Sequence, residues 1–232
     1  MSVNYEIYNI FNNDGKILQV EYGLEAVNNS IPLVIVKNNN IIVCAAKKMN
    51  FEDEIYSSFQ PIYTNVYSAF TGRWADVHFV NKQSKDLAYT LSYNLGFTVT
   101  PDILCRELAD KMQIKMQSVG ERCPAFGGAF FGFDNNIPIV SMTNMSAICY
   151  PVYGLGVGER SQNMMKYLEK YYKPNLDDSV VFQTAVGALL ESIGEDSQNQ
   201  EIEVAYLRSN EHLKYLNINE IEDLLLAIAE QQ

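Results

Sequence analysis

Basic residues are few in this chain of 232 residues: 17 lysines and arginines stand against 28 aspartates and glutamates, a net charge of -11. Nucleic-acid affinity depends on lysine and arginine side chains that displace counterions from phosphates, so this balance argues against a nucleic-acid partner. The chain also lacks an apolar run of the ~20 residues that a membrane-spanning helix requires. We therefore expect neither nucleic acid nor a membrane among its partners.

Cysteine and histidine are also scarce. The four cysteines lie far apart without a CxxC spacing, so the sequence indicates neither a zinc site nor a disulfide framework, and we expect a reduced, intracellular protein. His78 and His212 have no serine or cysteine motif nearby to complete a catalytic triad. The acidic run Glu52–Glu54 is more typical of a solvated loop than of a metal site. We therefore expect no metal and no cofactor.

The start of the chain is not typical of a targeting peptide. A secretory signal has a basic segment followed by an apolar block, whereas Glu6 and Asp14 occupy this region. Instead, Asp14 and Gly15 predict a turn, and the apolar positions from Ile17 to Val27 recur at the spacing of one helix face.

Hydrophobic periodicity predicts the remaining elements. Strands are expected at Pro32–Lys37, Ile41–Ala46, Ile62–Thr71, Phe126–Asp134, Ile137–Met142, Ser146–Gly154, Glu201–Leu207 and Leu213–Asn217. Helices are expected at Arg73–Leu95, from Pro101 onward, at Glu159–Tyr172, at Asp177–Ile193 and after an Asn217/Glu220 capping box. Blocks of strands alternate with pairs of helices, which favours an α+β fold or a layered sandwich whose facing sheets are covered by helices.

A glycine-rich segment, Gly154–Gly158, precedes a predicted helix. Such a segment can bind phosphate at the helix N-terminus. It lacks the Gly-Lys-Ser/Thr ending of a P-loop and has G-x-G-x-G rather than G-x-G-x-x-G. A tight turn from strand to helix is the favoured interpretation, and a nucleotide site is the alternative.

Five segments together resemble one family. They are FNNDGKILQVEYGLEAV, VCAAKK, TGRWAD, ADKMQIKMQSVGER with the strand that ends in FGFD, and IEVAYL with the final helix. They are similar to the alpha-type subunits of the 20S proteasome, with most likeness to alpha type-1. Gln19–Tyr22, the QVEY core, is the most specific part of the resemblance.

The resemblance implies a fold, a role and partners. The implied fold is a four-layer α-β-β-α sandwich of the N-terminal-nucleophile hydrolase type with an extra N-terminal helix. Residues 1–30 would form a gating tail and helix, and residues 31–232 the sandwich domain. The implied role is a non-catalytic structural and gating subunit of the alpha ring in ubiquitin- and ATP-dependent protein degradation, in cytoplasm and nucleus. Its partners would be neighbouring alpha and beta subunits and a regulatory particle or activator on the ring.

The resemblance also implies which residues form the gate and the ring contacts. They are Tyr5, Asn13, Asp14, Gly15, Gln19, Glu21 and Tyr22. Two positions depart from the family pattern: Asn13 replaces a proline, and only Tyr5 represents an expected Tyr-Asp-Arg motif.

The alternative is an active threonine hydrolase of the same fold. In catalytic beta subunits, a threonine freed by self-cleavage begins the first strand and is activated by its own amino group, a lysine and an aspartate. The matching positions here fall near Ile31 and Pro32, at about Ala46 and at about Pro61, and none has the required side chain. A lysine that binds the C-terminal carboxylate of activators would also fall near Pro61, so we expect weakened activator docking.

Overall fold

The computed structural model describes residues 11–51, 54–118, 121–173, 175–194 and 201–230. The helices are α1 (Leu18–Asn28), α2 (Trp74–Leu95), α3 (Pro101–Gln117), α4 (Ser161–Tyr171), α5 (Asp178–Ile193) and α6 (Ile218–Ala229). The strands are β1 (Leu33–Lys37), β2 (Ile41–Lys47), β3 (Met49–Phe51), β4 (Glu54–Tyr56), β5 (Phe59–Tyr63), β6 (Val66–Gly72), β7 (Phe126–Asp134), β8 (Ile137–Asn144), β9 (Cys149–Pro151), β10 (Gly154–Val157), β11 (Ile202–Arg208) and β12 (Lys214–Tyr215).

Two five-stranded antiparallel sheets form the centre of the molecule. The first has the order β10-β1-β2-β11-β12 and the second the order β5-β6-β7-β8-β9. Successive side chains of a strand point to opposite faces, and β1 is buried on both. Leu33 and Ile35 pack between the sheets, whereas Val34 and Val36 pack against α4, α5 and α6.

The second sheet is covered in the same way. Phe70, Phe126 and Phe130 turn away from the first sheet and pack against α2 and α3. The layers are therefore helix, sheet, sheet, helix, and the predicted α+β four-layer sandwich is confirmed.

Local signals in the sequence explain where several helices begin and end. Gly96, which follows α2, has φ 74°, a left-handed conformation that glycine adopts without strain. Pro101 opens α3, where its missing N–H would have no helical partner. The Asn217 side chain accepts from the Glu220 N–H and the Glu220 side chain accepts from the Asn217 N–H, so the predicted capping box is confirmed.

Two sequence predictions of strands were wrong. The single strand expected at Ile62–Thr71 is the hairpin of β5 and β6, which turns at Asn65 with φ 58°. The strand expected at Ser146–Gly154 is interrupted, and its two parts belong to different sheets, since β9 pairs with β8 and β10 pairs with β1. In the second case the apolar residues Val152 and Tyr153 continue through the break and hide it from a periodicity analysis, whereas in the first the polar pair Thr64 and Asn65 was a turn signal that the sequence prediction overlooked.

The acidic run Glu52–Glu54 also differs from the predicted loop. Its first two residues lie outside the described residues, and the third opens β4, which pairs antiparallel with β3. This short hairpin was not predicted from the sequence.

Replacement of Phe130 by alanine tests the packing of the second sheet. Phe130 is fully buried, and its ring meets the Phe70 ring edge-on with a centroid distance of 5.0 Å. We expect Phe130→Ala to lower the free energy of unfolding by about 3–5 kcal/mol, measured by urea denaturation. The control is Tyr93→Ala, since Tyr93 on α2 is 89% exposed and its loss leaves no cavity. Equal destabilisation by both variants would contradict this assignment of the core.

Candidate functional site

The turn before α1 is held by Asn12. Its side-chain oxygen accepts hydrogen bonds from the Asp14 N–H at 3.0 Å and the Lys16 N–H at 2.9 Å. Gly15 closes the turn with φ 74°, and its N–H donates to the Asn12 carbonyl at 3.0 Å. Asn13 and Asp14 are exposed. The turn predicted at Asp14 and Gly15 is present, but its organising residue is Asn12, which the sequence analysis missed although asparagine commonly begins such turns.

One face of α1 is fixed to the sandwich. The Gln19 side-chain oxygen accepts from the Cys123 N–H at 3.0 Å, and the Val20 and Val27 side chains are buried. Glu21 and Tyr22 lie on the exposed side of the helix, and the Tyr22 side chain is 60% exposed. The QVEY core therefore has two inward residues, Gln19 and Val20, and two outward residues, Glu21 and Tyr22.

The fit between α1 and the sheet below it leaves little room. A Cβ atom on Gly23 would lie 2.1 Å from the Met145 sulfur, in the loop that joins β8 and β9. A Cβ atom on Gly127, at the start of β7, would lie 3.1 Å from a Val27 methyl group. These glycines allow the helix to approach the strand ends closely.

The chain passes from α1 into β1 through a half-buried, hydrogen-bonded corner. The Ser30 hydroxyl donates to the Val27 carbonyl at 2.6 Å and lies 2.9 Å from the Thr71 hydroxyl. Thr71, near the end of β6, donates to the Ile31 carbonyl at 2.6 Å. The start of β1 is thus bonded to the opposite sheet and covered by α1.

The glycine-rich segment contributes to the same corner. Gly158 has φ 100°, and a Cβ atom there would lie 2.4 Å from the Ile31 carbonyl oxygen. Gly154 and Gly156 belong to β10, which pairs with β1. These contacts explain the glycines by close backbone packing, in agreement with the predicted strand-to-helix turn.

Asp76 connects α2 to the segment that binds Gln19. Its carboxylate accepts hydrogen bonds from Arg122 at 2.6 Å and 2.5 Å and from the Ala125 N–H at 2.8 Å. Burial alone would raise the pKa of Asp76, but the Arg122 and Ala125 donors outweigh it and hold the pKa below the ordinary aspartate value. The pair stabilises the segment around Cys123 and so supports α1 from below.

The positions matched to catalytic residues of the beta class carry no suitable side chain. Pro32 and Ala46 are buried neighbours, since the Lys47 N–H donates to the Pro32 carbonyl at 3.2 Å. The structure does not bring Pro61 to them: it lies exposed in the edge strand β5, opposite Tyr67. An edge strand tolerates proline because no N–H is required there.

One carboxylate lies near these strand ends, and sequence reasoning missed it. Glu203 in β11 stands opposite Ala46 and is almost fully buried. Burial raises its pKa, while hydrogen bonds to the Ser57 hydroxyl and the Ser58 backbone oppose that shift. The charge of Lys48 also lowers this pKa, and these contacts support a structural role for Glu203.

A cleft of about 510 Å³ opens beside α1, lined in part by Gln19, Tyr22, Gly23 and Arg73. Among the described residues, no group of histidine, cysteine, aspartate and glutamate side chains is arranged to hold a metal ion. Within the same ranges, no helix combines the length and the apolar character that a bilayer crossing requires. Tyr5 lies outside the described residues.

The two antiparallel sheets pack face to face between helix layers, and the first strand begins at one end of the sandwich. This arrangement defines the N-terminal-nucleophile hydrolase type of fold. The family model described as "Proteasome subunit" matches residues 27–207, and the chain belongs to this family.

Curated relatives specify the class within the family. "Proteasome subunit alpha type-7-like" of Macaca fascicularis and "Proteasome subunit alpha type-8" of Mus musculus are each 27% identical over 220 residues, which is 92% of this chain and 87% of each relative. "Probable proteasome subunit alpha type-1" of Schizosaccharomyces pombe is 24% identical over 234 residues, which is 96% of this chain and 95% of the relative. The predicted alpha-type assignment is confirmed, and the relation to alpha type-1 in particular stays a prediction.

Replacement of Asp76 by asparagine tests the support beneath α1. Because the folded-state pKa of Asp76 lies below its unfolded value, the interaction stabilises fully above that unfolded value, near 4, and is lost as the pH falls through the folded pKa. We expect Asp76→Asn to lower the free energy of unfolding at pH 7 by about 1–3 kcal/mol. The difference in free energy of unfolding between the variant and the parent protein, measured by urea denaturation between pH 7 and pH 3, should become smaller toward low pH.

The matched control is Asp110→Asn, which removes an exposed carboxylate from α3. If Asp76→Asn lowers the free energy of unfolding by the same amount at every pH, the proposed ionic interaction is contradicted.

Proposed function

We propose that the chain is a non-catalytic structural and gating subunit of the alpha ring of the 20S proteasome core particle. The observation that carries the proposal is the hydrogen-bonded corner at Ser30 and Ile31, which joins α1 to β1. In this proposal residues 1–30 form the gating tail and its helix, and residues 31–232 form the sandwich domain.

The absence of a competent nucleophile supports the non-catalytic role. A threonine hydrolase needs a hydroxyl side chain on a residue whose own amino group is free. Ile31 and Pro32 have no hydroxyl, and the Ile31 carbonyl is bonded to Thr71 beneath α1. Self-cleavage before Ile31 would also separate Val27 from the sandwich, where its side chain packs between the sheets.

The exposed part of α1 supports a role at the ring surface. Gln19 is used within the subunit, whereas Glu21 and Tyr22 face outward, where a neighbouring alpha subunit can contact them. The turn at Asn13–Gly15 directly precedes α1, and the segment before that turn, with Tyr5, lies outside the described residues. We propose that this segment contributes to the axial gate and that Asn13 makes the turn less rigid than a proline would.

The helix layer of α2 and α3 supports contact with other subunits, alpha or beta. Several large apolar side chains there are exposed: Phe79, Tyr89, Tyr93, Leu95, Phe97 and Ile114. Exposed apolar patches of this kind mark protein interaction sites on soluble domains.

We further propose that the subunit occurs wherever the particle does, in cytoplasm and nucleus, without nucleic acid or membrane as partners.

We further propose weak docking of activators at this subunit. Binding of a C-terminal carboxylate is strengthened by a lysine or arginine donor. Neither Pro61 nor the Ser57 and Ser58 side chains that precede β5 carry a positive charge. A regulatory particle would therefore rely on pockets at other subunits of the ring.

Purification of the assembled particle tests the role. A tagged full chain expressed in its source cells should copurify with a barrel of related subunits, and its N-terminal sequence should begin at or near Met1, before α1. Deletion of residues 1–10 should raise hydrolysis of a small fluorogenic peptide by the particle, because the tail no longer obstructs entry. The control is Lys170→Ala, an exposed change on α4.

A free monomer without copurifying subunits would refute the assembly role. A chain processed to begin at a threonine, serine or cysteine would instead identify an active hydrolase of the same fold. Unchanged peptide hydrolysis after the deletion would refute the gating role.

Introduction of a lysine at Pro61 tests the activator proposal. We expect Pro61→Lys particles to bind an activator C-terminal peptide roughly 10- to 100-fold more tightly, because one charge-assisted hydrogen bond contributes roughly 1.5–3 kcal/mol. Fluorescence anisotropy with a labelled peptide measures the change, and the same peptide with an amidated C-terminus should show none. The matched control is Thr64→Lys, which adds a lysine at an exposed position of the same hairpin. Equal gains from both variants would indicate a nonspecific charge effect.

A further inference from the structure

Two cysteine side chains meet between α3 and the edge of the second sheet. The buried Cys105 packs in the core of that sheet, and its Sγ donates to the Met142 carbonyl at 3.3 Å. Cys149 packs against the same core from β9, where it stands opposite Thr143, the residue after Met142. The strand register thus brings both thiols to the same point of β8.

The two thiols lie close enough to form a hydrogen bond with each other. Burial, together with this hydrogen bond and a charge interaction with Cys149, raises the pKa of Cys105 and keeps it a neutral thiol. The buried Thr143 hydroxyl makes no hydrogen bond of normal geometry, yet it lies close enough to lower that pKa in part. Cys149 is only half-buried, so a small solute can reach it while Cys105 stays covered.

We propose that Cys105 and Cys149 are a reactive dithiol that hydrogen peroxide converts to an internal disulfide. The Cys149 thiolate attacks one peroxide oxygen, the O–O bond breaks, and a sulfenic acid and hydroxide form. The Cys105 sulfur then attacks the Cys149 sulfur, the S–O bond breaks, and the Cys105 proton leaves with the hydroxyl group as water. In sum, two thiols and one peroxide give one disulfide and two waters.

The disulfide would fix a segment that supports α1. The loop between β8 and β9 carries Met145, whose sulfur lies directly beneath Gly23 of α1. A covalent bond from Cys149 to α3 limits the movement of β9 and therefore of this loop. The modification thus connects the redox state of the chain to the helix at the sandwich end.

The other two cysteines provide internal references. Burial raises the pKa of Cys44 well above its ordinary value and that of Cys123 to about 11. Cys123 donates to the Met145 carbonyl at 3.5 Å and is buried in the same core as Cys105. Both thiols should stay reduced under conditions that oxidise Cys149.

Peptide mapping of the oxidised protein tests the proposal. The full chain is reduced, freed of reductant, treated with a small excess of hydrogen peroxide, unfolded in the presence of an alkylating reagent and digested. We expect a cross-linked peptide pair that contains Cys105 and Cys149, reversed by dithiothreitol, while Cys44 and Cys123 are recovered alkylated. With Cys105→Ser, Cys149 should accumulate as a sulfenic acid that dimedone traps.

The matched control is Cys123→Ser, which removes a neighbouring buried thiol and should leave the cross-link unchanged. Recovery of both Cys105 and Cys149 alkylated after peroxide treatment would refute the proposal, as would a Cys149 disulfide formed only between two chains. Since the cross-link is read directly from peptides, the outcome is independent of ring assembly and of gating.

Discussion

The packing of α1 over the strand ends is the constraint on which the rest of this structure depends. Val27 lies between the two sheets, and the corner that follows it bonds the Ile31 carbonyl to Thr71 of the opposite sheet. Gly127 leaves room for Val27 of the helix, and Gly158 leaves room for the Ile31 carbonyl at the start of β1. Asp76 stabilises the segment that binds α1, because its carboxylate accepts hydrogen bonds from Arg122 and from the Ala125 N–H.

The same packing determines what chemistry the sandwich end can perform. An N-terminal nucleophile requires the first strand to begin at a free amino group, and here the strand begins beneath a helix. Glu203 is a buried acid whose carboxyl group is bonded by Ser57 and Ser58 and lies within the charge influence of Lys48. The helix and the missing hydroxyl side chain at Ile31 and Pro32 thus concern the same strand end.

Features encoded by neighbouring residues could be predicted from the sequence, and those encoded by distant pairs could not. The capping box of α6, Gly96 after α2 and the periodicity of α1 are local, so the helices and the layer order followed. The split of β9 from β10 depends on strand partners more than 100 residues apart in β1, and the bond from Gln19 to Cys123 joins segments equally distant in the chain. The position of Pro61 relative to β1 could not be predicted either, because it depends on the register of β5 against β6.

One end of the sandwich is covered by its own helix, and the inward face of α1 is taken up by contacts within the chain. The outward face, with Glu21 and Tyr22, remains exposed. The helices α2 and α3 expose large apolar side chains as well, a feature that marks protein interaction sites on soluble domains. Two such surfaces on one chain agree with the proposed subunit that contacts more than one neighbour.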